Sequence, residues 1–320
     1  MAGSKSVVIA ALFANGAIAV TKFVGYLLTG SPSMLSETYH SVSDTGNQVF
    51  LLIGIRYSAQ EANRTHPFGY GKAQFFYAFL VSVLLFGIAG WESLNHGWNA
   101  LTGGGHGAEQ ADVVIAGVNL TELLPVEAFW VNVVVLVGAI LFETYAFWKA
   151  YQELNRQTEL YGWSGFREAF RKTSDVTTLT AFTEDAVALG GAIIALVGIS
   201  LTRYTGNGAY DAASAVIIGL LLMGFALALA WENKRLLVGE SLPEDVEAEL
   251  RAAVSGNGRV TDLRELRTMF IGANEALVTV TVGFDDDMVT DEVEAEIERI
   301  ERALRERDER VKLVYVEPER

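Results

Sequence analysis

The sequence predicts a polytopic α-helical membrane protein, with six transmembrane helices in residues 1–238 and a small soluble α+β domain in residues 239–320. Three observations carry that expectation. The 320 residues are 51% hydrophobic with a mean hydropathy of +0.27, too apolar for an ordinary soluble chain. The apolar residues gather into six runs of membrane-crossing length. The charge is lopsided: the net charge is −15, and from Gly239 onward 22 acidic residues face 11 basic ones.

Each element can be justified in order. One lysine in residues 1–6 precedes an apolar run that continues to Leu28 without a small-residue cleavage site. We expect a retained helix there, not a signal peptide. The first span covers residues 7–28, interrupted by Asn15 and Lys22. The second covers 32–58, with Ser31 at the cap and Pro32 at the first helical position. A polar link, 59–71, contains most of the run His66-Pro67-Phe68-Gly69-Tyr70-Gly71-Lys72. The third span is 75–94. A loop, 95–124, follows, Gly-rich at Gly103-Gly104-Gly105 and without Lys or Arg. The fourth span is 126–148. The polar connector 149–172, with Tyr161, Trp163, Phe166 and Phe170 beside Arg167, Arg171 and Lys172, suits an interfacial helix. The fifth span is 176–201, capped near Ser174-Asp175, and the sixth is 210–231, capped by Asp211.

Lys and Arg concentrate in the second–third link (Arg56, Arg64, Lys72), in the fourth–fifth connector (Lys149, Arg156, Arg167, Arg171, Lys172) and after the sixth span (Lys234, Arg235). The other side holds little beyond Arg203. By the positive-inside rule both termini and the tail face the cytoplasm, with the spans in a plasma or inner membrane. The tail reads as helix 243–254, strands 260–270 and 276–284, helix 291–307 and strand 311–316. Val278, Val280 and Val282 alternate with Thr279 and Thr281, and Val293, Ile297, Ile300 and Leu304 share a helix face. The order αββαβ suits a sheet covered on one face by two helices.

The polar stretch from Ser36 to Asn47 lies inside the second span. His40 and Asp44 are four apart and share a helical face. At about 1.5 Å per residue they lie roughly 12 and 18 Å into a core about 30 Å thick. Ionisable groups at such depth are costly and mostly functional, the alternative being a polar helix–helix contact. The fifth span, running the opposite way, brings Glu184 and Asp185 to roughly 15 Å by the same rise. The shared depth suggests one site of His40, Asp44 and Asp185, with Glu184 as a fourth candidate. Adjacent residues point about 100° apart, so Glu184 and Asp185 need not both hold one ion. The alternative for either is a pair with Lys22 or a helix contact.

An imidazole with two or three carboxylates suits a borderline divalent ion, Zn²⁺ first, with Co²⁺, Fe²⁺ and Mn²⁺ left open. Protons compete with the metal for these groups, which is the basis for metal/proton exchange. Glu143, in the fourth span, reads as a proton relay, a vestibule acid or a structural pair. Glu92 and His96 read as a helix-end pair, His106 as a solvated loop residue, Asn47 and Asn132 as helix contacts, and Asp285-Asp286-Asp287 as a solvated turn. The chain has no cysteine, which removes disulfides, thiolate metal sites and Cys catalysis. An acidic tail argues against nucleic acid as a partner. No interior nucleophile–base pair suggests an enzyme. The expectation is a divalent-cation transporter needing no cofactor beyond its cargo, with a non-transporting membrane sensor or scaffold as the alternative.

The chain also resembles the cation diffusion facilitator family over nearly its whole length. The resemblance rests on Lys22-Phe23-Val24-Gly25, Leu28-Thr29-Gly30-Ser31, the His40/Asp44 pair, the His66–Lys72 run, Asp211 and the αββαβ tail. The residues around His40 and Asp44, with Glu184-Asp185, are similar to the branch that includes the mitochondrial zinc transporter of animals. The resemblance implies a homodimer, a metallochaperone-like soluble domain, alternating access and metal export from the cytoplasm against protons. Three features depart from the pattern. Ala181 stands where the family's fifth span carries a histidine, removing one nitrogen. Asn63, His66 and Tyr70 stand where some relatives' loop site has an acid and two histidines, so we expect no tight site there. The tail lacks histidine, His106 being the last in the chain.

Overall fold

The computed structural model describes residues 2–102, 114, 115, 118, 119, 127–161, 164, 165 and 176–319. The chain divides into two compact units, Met1–Val49 with Leu80–Leu229, and Phe50–Phe79 with Ala230–Arg320. Its long helices are α1 (Ala2–Thr29), α2 (Pro32–Ser58), α3 (Ala73–Leu84), α4 (Trp91–Thr102), α5 (Ala128–Tyr161), α6 (Val176–Thr205) and α7 (Ala209–Val238). A π-helical turn, Leu85–Gly90, joins α3 to α4 without a break. Among the described residues five stretches are long and apolar enough to cross a membrane: Leu12–Thr29, Ala73–Thr102, Ala128–Glu159, Phe182–Thr205 and Ala209–Val238. Helix α2 is as long but too polar to join them, and the reason lies in which side chains it hides. Ser33, Ser36, Glu37, Thr38, His40, Ser41 and Asp44 are all buried.

The helical unit is thus polar in places within and apolar outside. Phe13, Val134 and Leu141 are exposed, while Met34, Leu136, Ala195, Ile218 and Leu222 form an interior cluster. Glycine brings α4 and α7 close. A Cβ on Gly97 would stand 2.7 Å from the Val216 nitrogen, and one on Gly219 would stand 2.6 Å from the Leu94 nitrogen. Small residues at such crossings let helix backbones pack where no hydrophobic force separates helix from lipid. Helix α1 ends at Gly30, whose φ of 64° closes the last turn as its N–H donates to the Tyr26 carbonyl at 2.8 Å.

Several boundaries differ from expectation. The third helix continues to Thr102. The fourth continues to Tyr161, so the first residues of the expected connector are helical. Residues 149–161 contain no Gly or Pro, and Arg156 pairs with Glu153 one turn earlier at 2.6 Å, which favours propagation. A two-residue hairpin, β1 (Val114–Ile115) and β2 (Val118–Asn119), lies in the expected loop. Gly103–Gly105, His106, the Ser174–Asp175 cap and the connector residues Trp163, Phe166, Arg167, Phe170, Arg171 and Lys172 lie outside the described residues.

In the second unit, α8 (Glu244–Ser255), β3 (Val260–Gly272), β4 (Glu275–Phe284), α9 (Thr290–Arg307) and β5 (Val311–Glu319) follow in order. The three-stranded sheet has the order β3-β4-β5, antiparallel then parallel, with Leu266 opposite Val280 and Val278 opposite Val314. Val278, Val280 and Val282 are buried with Leu250, Val254, Ile300 and Leu304, while Thr279 and Thr281 are half-exposed on the other face, as period-two alternation requires. Glu296, also on the inner face of α9, is buried and satisfied by Asn257 and Arg299. The same unit holds the end of the His66–Lys72 run. A Cβ on Gly71 would meet the Gly272 Cα at 2.8 Å, which accounts for that glycine.

Candidate metal centre

The N-terminus of α2 is fastened first. Asp211, in the first turn of α7, accepts the Ser31 hydroxyl at 2.7 Å, the Ser33 backbone N–H at 3.2 Å and the Ser33 hydroxyl. Its carboxylate therefore caps α2, where the helix dipole presents positive charge. Its own helix is capped by Asn207, whose side chain accepts the Ala209 N–H at 3.0 Å. Sequence reasoning assigned Asp211 to its own helix because local spacing cannot show a partner 180 residues away.

One turn deeper on α2, Glu37 is fully buried and pairs with Lys22 of α1 at 2.7 Å. The lysine left open as a partner for Glu184 or Asp185 is thus taken by a different acid. The second oxygen of Glu37 has no hydrogen-bond partner and lies against Gly191 of α6.

A further turn along, His40 is 1% exposed, and neither ring nitrogen has a hydrogen-bond partner. Asp44 stands 3.5 Å from its Nδ1, an ion-pair separation too long for a good hydrogen bond. Asp44 in turn approaches Glu184 of α6 within hydrogen-bonding reach, and Asn47 donates to Glu184 Oε1 at 3.0 Å. Glu184 and Asp185 are both half-buried. Asp185 has Glu143 of α5 and Glu184 as its electrostatic neighbours, and Glu143 is buried. The structure brings His40, Asp44 and Glu184 into one chain of contacts, with Asp185 and Glu143 bordering it. Among the described residues no group of three His, Asp or Glu side chains stands arranged to hold a metal ion.

Other candidates make contacts of their own. Asn132 takes part in a contact with the Thr29 hydroxyl at 2.9 Å, tying α5 to the end of α1. His96 lies edge-on to Tyr26 at 6.4 Å. His66 stacks on Tyr70 at 4.1 Å, shares a hydrogen bond with the Thr65 hydroxyl and donates its backbone N–H to the Asn63 side chain. The features that sequence reasoning missed are the Lys22–Glu37 pair and the role of Gly191, while the bond from Asn47 to Glu184 is the helix contact expected of Asn47. Asn47 left a signal as a polar residue one turn from Asp44 on a buried helix, and the other two left none.

What the arrangement can do chemically follows from its donors. Carboxylates and an imidazole at low exposure can accept protons or a divalent cation, and these donors come from the helices α2, α5 and α6. The family model for the cation efflux transmembrane domain matches residues 8–238. The human mitochondrial proton-coupled zinc antiporter SLC30A9 is 28% identical over 288 residues, 90% of this chain and 47% of its own length. The chain therefore spans about half the length of that relative. Metal tolerance protein C4 of Arabidopsis thaliana is 25% identical over 287 residues, 89% of this chain and 58% of its own. The cation-efflux pump FieF of Serratia proteamaculans is 26% identical over 300 residues, 94% of this chain and 87% of its own.

Proposed function

The chain belongs to the cation efflux family, the cation diffusion facilitators, and from that premise we propose that it exports a divalent cation, Zn²⁺ first, in exchange for protons. The observation that carries the reading is His40: a fully enclosed imidazole with both nitrogens unpartnered, beside Asp44. A buried polar group without a partner is costly, and a site that takes a cation repays that cost. His40, Asp44 and Asp185 bind the ion and Glu184 assists. In the state described, Asp44 and Glu184 are already adjacent, and alternating access brings Asp185 in to complete the set. Glu143 receives or supplies protons at its border.

We place six spans in residues 1–238, α2 included, since its polar face is turned inward. The soluble domain, residues 239–320, is a metallochaperone-like αββαβ module. Both termini lie in the cytoplasm of a cell whose plasma or inner membrane holds the protein, and two copies form the working unit. A second reading, export of Mn²⁺, Fe²⁺ or Co²⁺ through the same groups, is favoured by a donor set with one nitrogen and up to three carboxylates, harder than a two-histidine set.

Uptake into proteoliposomes with a lumenal pH dye tests both. Wild type should take up Zn²⁺ with opposite proton movement, and Asp185→Ala should lose at least about tenfold in rate, the scale of one lost charged ligand. Preference for Mn²⁺ or Fe²⁺ over Zn²⁺ would select the second reading. Full activity in Asp185→Ala would remove that residue from the site. Metal bound but never moved by wild type would point to a sensor or scaffold.

A further inference from the structure

Glu37 touches α6 one turn before His40, and the spacing along both helices gives that contact a task. We propose that Glu37 is a positioning residue: its carboxylate, seated on α6 at Gly191, holds α2 and α6 in the register that sets Asp44 beside Glu184. The inference rests on the metal-site reading above and names what assembles that site.

Two contacts fix the register. Glu37 meets α6 at Gly191, where a Cβ would run into its carboxylate. Asn47 meets α6 at Glu184, donating at 3.0 Å. The α2 number rises as the α6 number falls, so the two helices run antiparallel. From Glu37 to Asp44 is seven residues, and from Gly191 back to Glu184 is also seven. Seven residues make two turns less about 20°, a rise of about 10.5 Å. Glu37, His40 and Asp44 therefore share one face of α2, and Gly191 and Glu184 share one face of α6. Antiparallel helices that meet at Glu37 and Gly191 face each other again two turns on, where Asp44 and Glu184 stand. Asp185 falls in a different row. The residue seven beyond it is Ala192, and the seat has no room for a Cβ. The seated carboxylate thus selects Glu184 over Asp185 as the neighbour of Asp44.

Glu37 is held in the seat from α1. One oxygen takes the Lys22 ammonium at 2.7 Å, with both side chains at 0% exposure. The other oxygen has no hydrogen-bond partner among the described residues. Removing an ammonium and a carboxylate from water costs more than their attraction usually returns, so stability is a weak reason for the pair. An unpartnered carboxylate oxygen adds to that cost. Position supplies another reason. The Glu37 Cδ would stand 3.6 Å from a Cβ on Gly191, while a Cβ on Gly190 would meet open space, so the carboxylate is fitted to one glycine and not to its neighbour. The pair is neutral as a whole, and its effect on the site comes from where it places α2.

The test reads register and site separately in the full chain in detergent. The chain has no cysteine, so the pair Asn47→Cys with Glu184→Cys reports the register through its yield with a short bifunctional thiol reagent. Zn²⁺ titration of the cysteine-free protein reports the site. Two double variants lack the charge pair equally. Lys22→Met with Glu37→Gln keeps a side chain of the same length in the seat, and should cross-link as the parent does and bind Zn²⁺ within about threefold of wild type. Lys22→Met with Glu37→Ala empties the seat, and should lose most of the cross-link and bind Zn²⁺ about tenfold more weakly, the scale for a group that orients a ligand. Gly191→Ala should reduce both readings in the parent and change neither further in the emptied variant, where nothing is left to collide with. A purely structural tie would lower the melting temperature of the emptied variant and leave its cross-link and affinity as in the parent, and that result overturns the proposal. So does a Gln variant as impaired as the Ala variant, since charge and not the seat would then matter. Where the Ala variant fails to fold, unchanged readings in Gly191→Ala overturn the proposal by themselves. Wild type that binds no Zn²⁺ while the cross-links follow the expected order overturns the metal-site reading instead, which separates the two failures.

Discussion

Asp211 and Gly191 show how much single residues decide in an interior that holds charge. Asp211 serves three donors at the start of α2, two hydroxyls and one backbone N–H. Asp211→Asn keeps an acceptor but loses the charge facing the helix dipole, and should cost about 1 kcal/mol. Asp211→Ala also leaves Ser33 N–H without its acceptor and should cost about 2 kcal/mol. Melting of the purified protein in detergent should rank wild type above the Asn variant and that above the Ala variant. Equal melting of all three would show that the cap carries no weight. Gly191 supplies a paired control. A Cβ there collides with the Glu37 carboxylate, while Gly190 has open space around its Cα. Gly191→Ala should lower the melting temperature and disturb metal binding, and Gly190→Ala should do neither. His40 and Asp44 were legible because their spacing of four repeats the helix period. The Lys22–Glu37 pair was not, because nothing local ranks Glu37 above Glu184 or Asp185 as a partner for Lys22.

At the scale of elements, packing and capping separate the helical unit from the sheet. The α4–α7 crossing depends on backbone contact at Gly97 and Gly219, whereas Gly87 and Gly138 face open space. Gly97→Leu or Gly219→Leu should force the helices apart and abolish a monodisperse peak in size-exclusion chromatography, while Gly87→Ala and Gly138→Ala should leave it intact. A normal peak for Gly219→Leu would contradict the tight crossing. In the soluble domain, Asp308 precedes β5 and takes part in hydrogen bonds with Arg310, at 2.6 Å from its Nη2 and at 2.8 Å from its backbone N–H. Partial burial alone would raise the Asp308 carboxyl, but the Arg310 bonds and charge outweigh it and hold the group below the ordinary carboxylate range. A carboxyl lowered by folding stabilises the fold above its unfolded value of about 3.9, and that contribution is lost as pH falls through the folded value. Hydrogen exchange of residues 308–316 in the full chain should accelerate as pH drops below about 4, relative to intrinsic rates, and Arg310→Met should reduce the pH dependence. An unchanged pH profile in Arg310→Met would show that Arg310 does not set the Asp308 value.

For the whole molecule the open quantity is how many times the chain crosses the bilayer. Five helices qualify by length and hydropathy among the described residues, and α2 is the sixth only if its polar face is shielded by neighbours. Parity makes the difference measurable. Six crossings place both termini on one side, and five place them on opposite sides. The chain has no cysteine, so a single introduced thiol is the only one to label. Cysteine replacing Ser4 and cysteine replacing Lys312 should both react with a membrane-impermeant reagent only from the cytoplasmic side, and cysteine replacing Asn207 only from the other. Opposite reactivity of the two terminal positions would reduce the count to five and remove α2 from the bilayer.

The linear order of residues by itself determined the membrane class, the apolar spans, the acidic αβ tail and the His40/Asp44 pair. Each of these depends on composition or on a period of two or about four residues, which a chain displays before it folds. Helix ends were less visible, since α5 runs past Trp148 on propensity and side-chain pairs rather than on hydropathy. Only the tertiary structure decided which acid Lys22 takes, which helix Asp211 caps and why Gly97, Gly191 and Gly219 carry no side chain. Those are contacts between residues far apart in sequence, such as Lys22 with Glu37 or Ser31 with Asp211, and a buried charge selects its partner by distance in space, not along the chain.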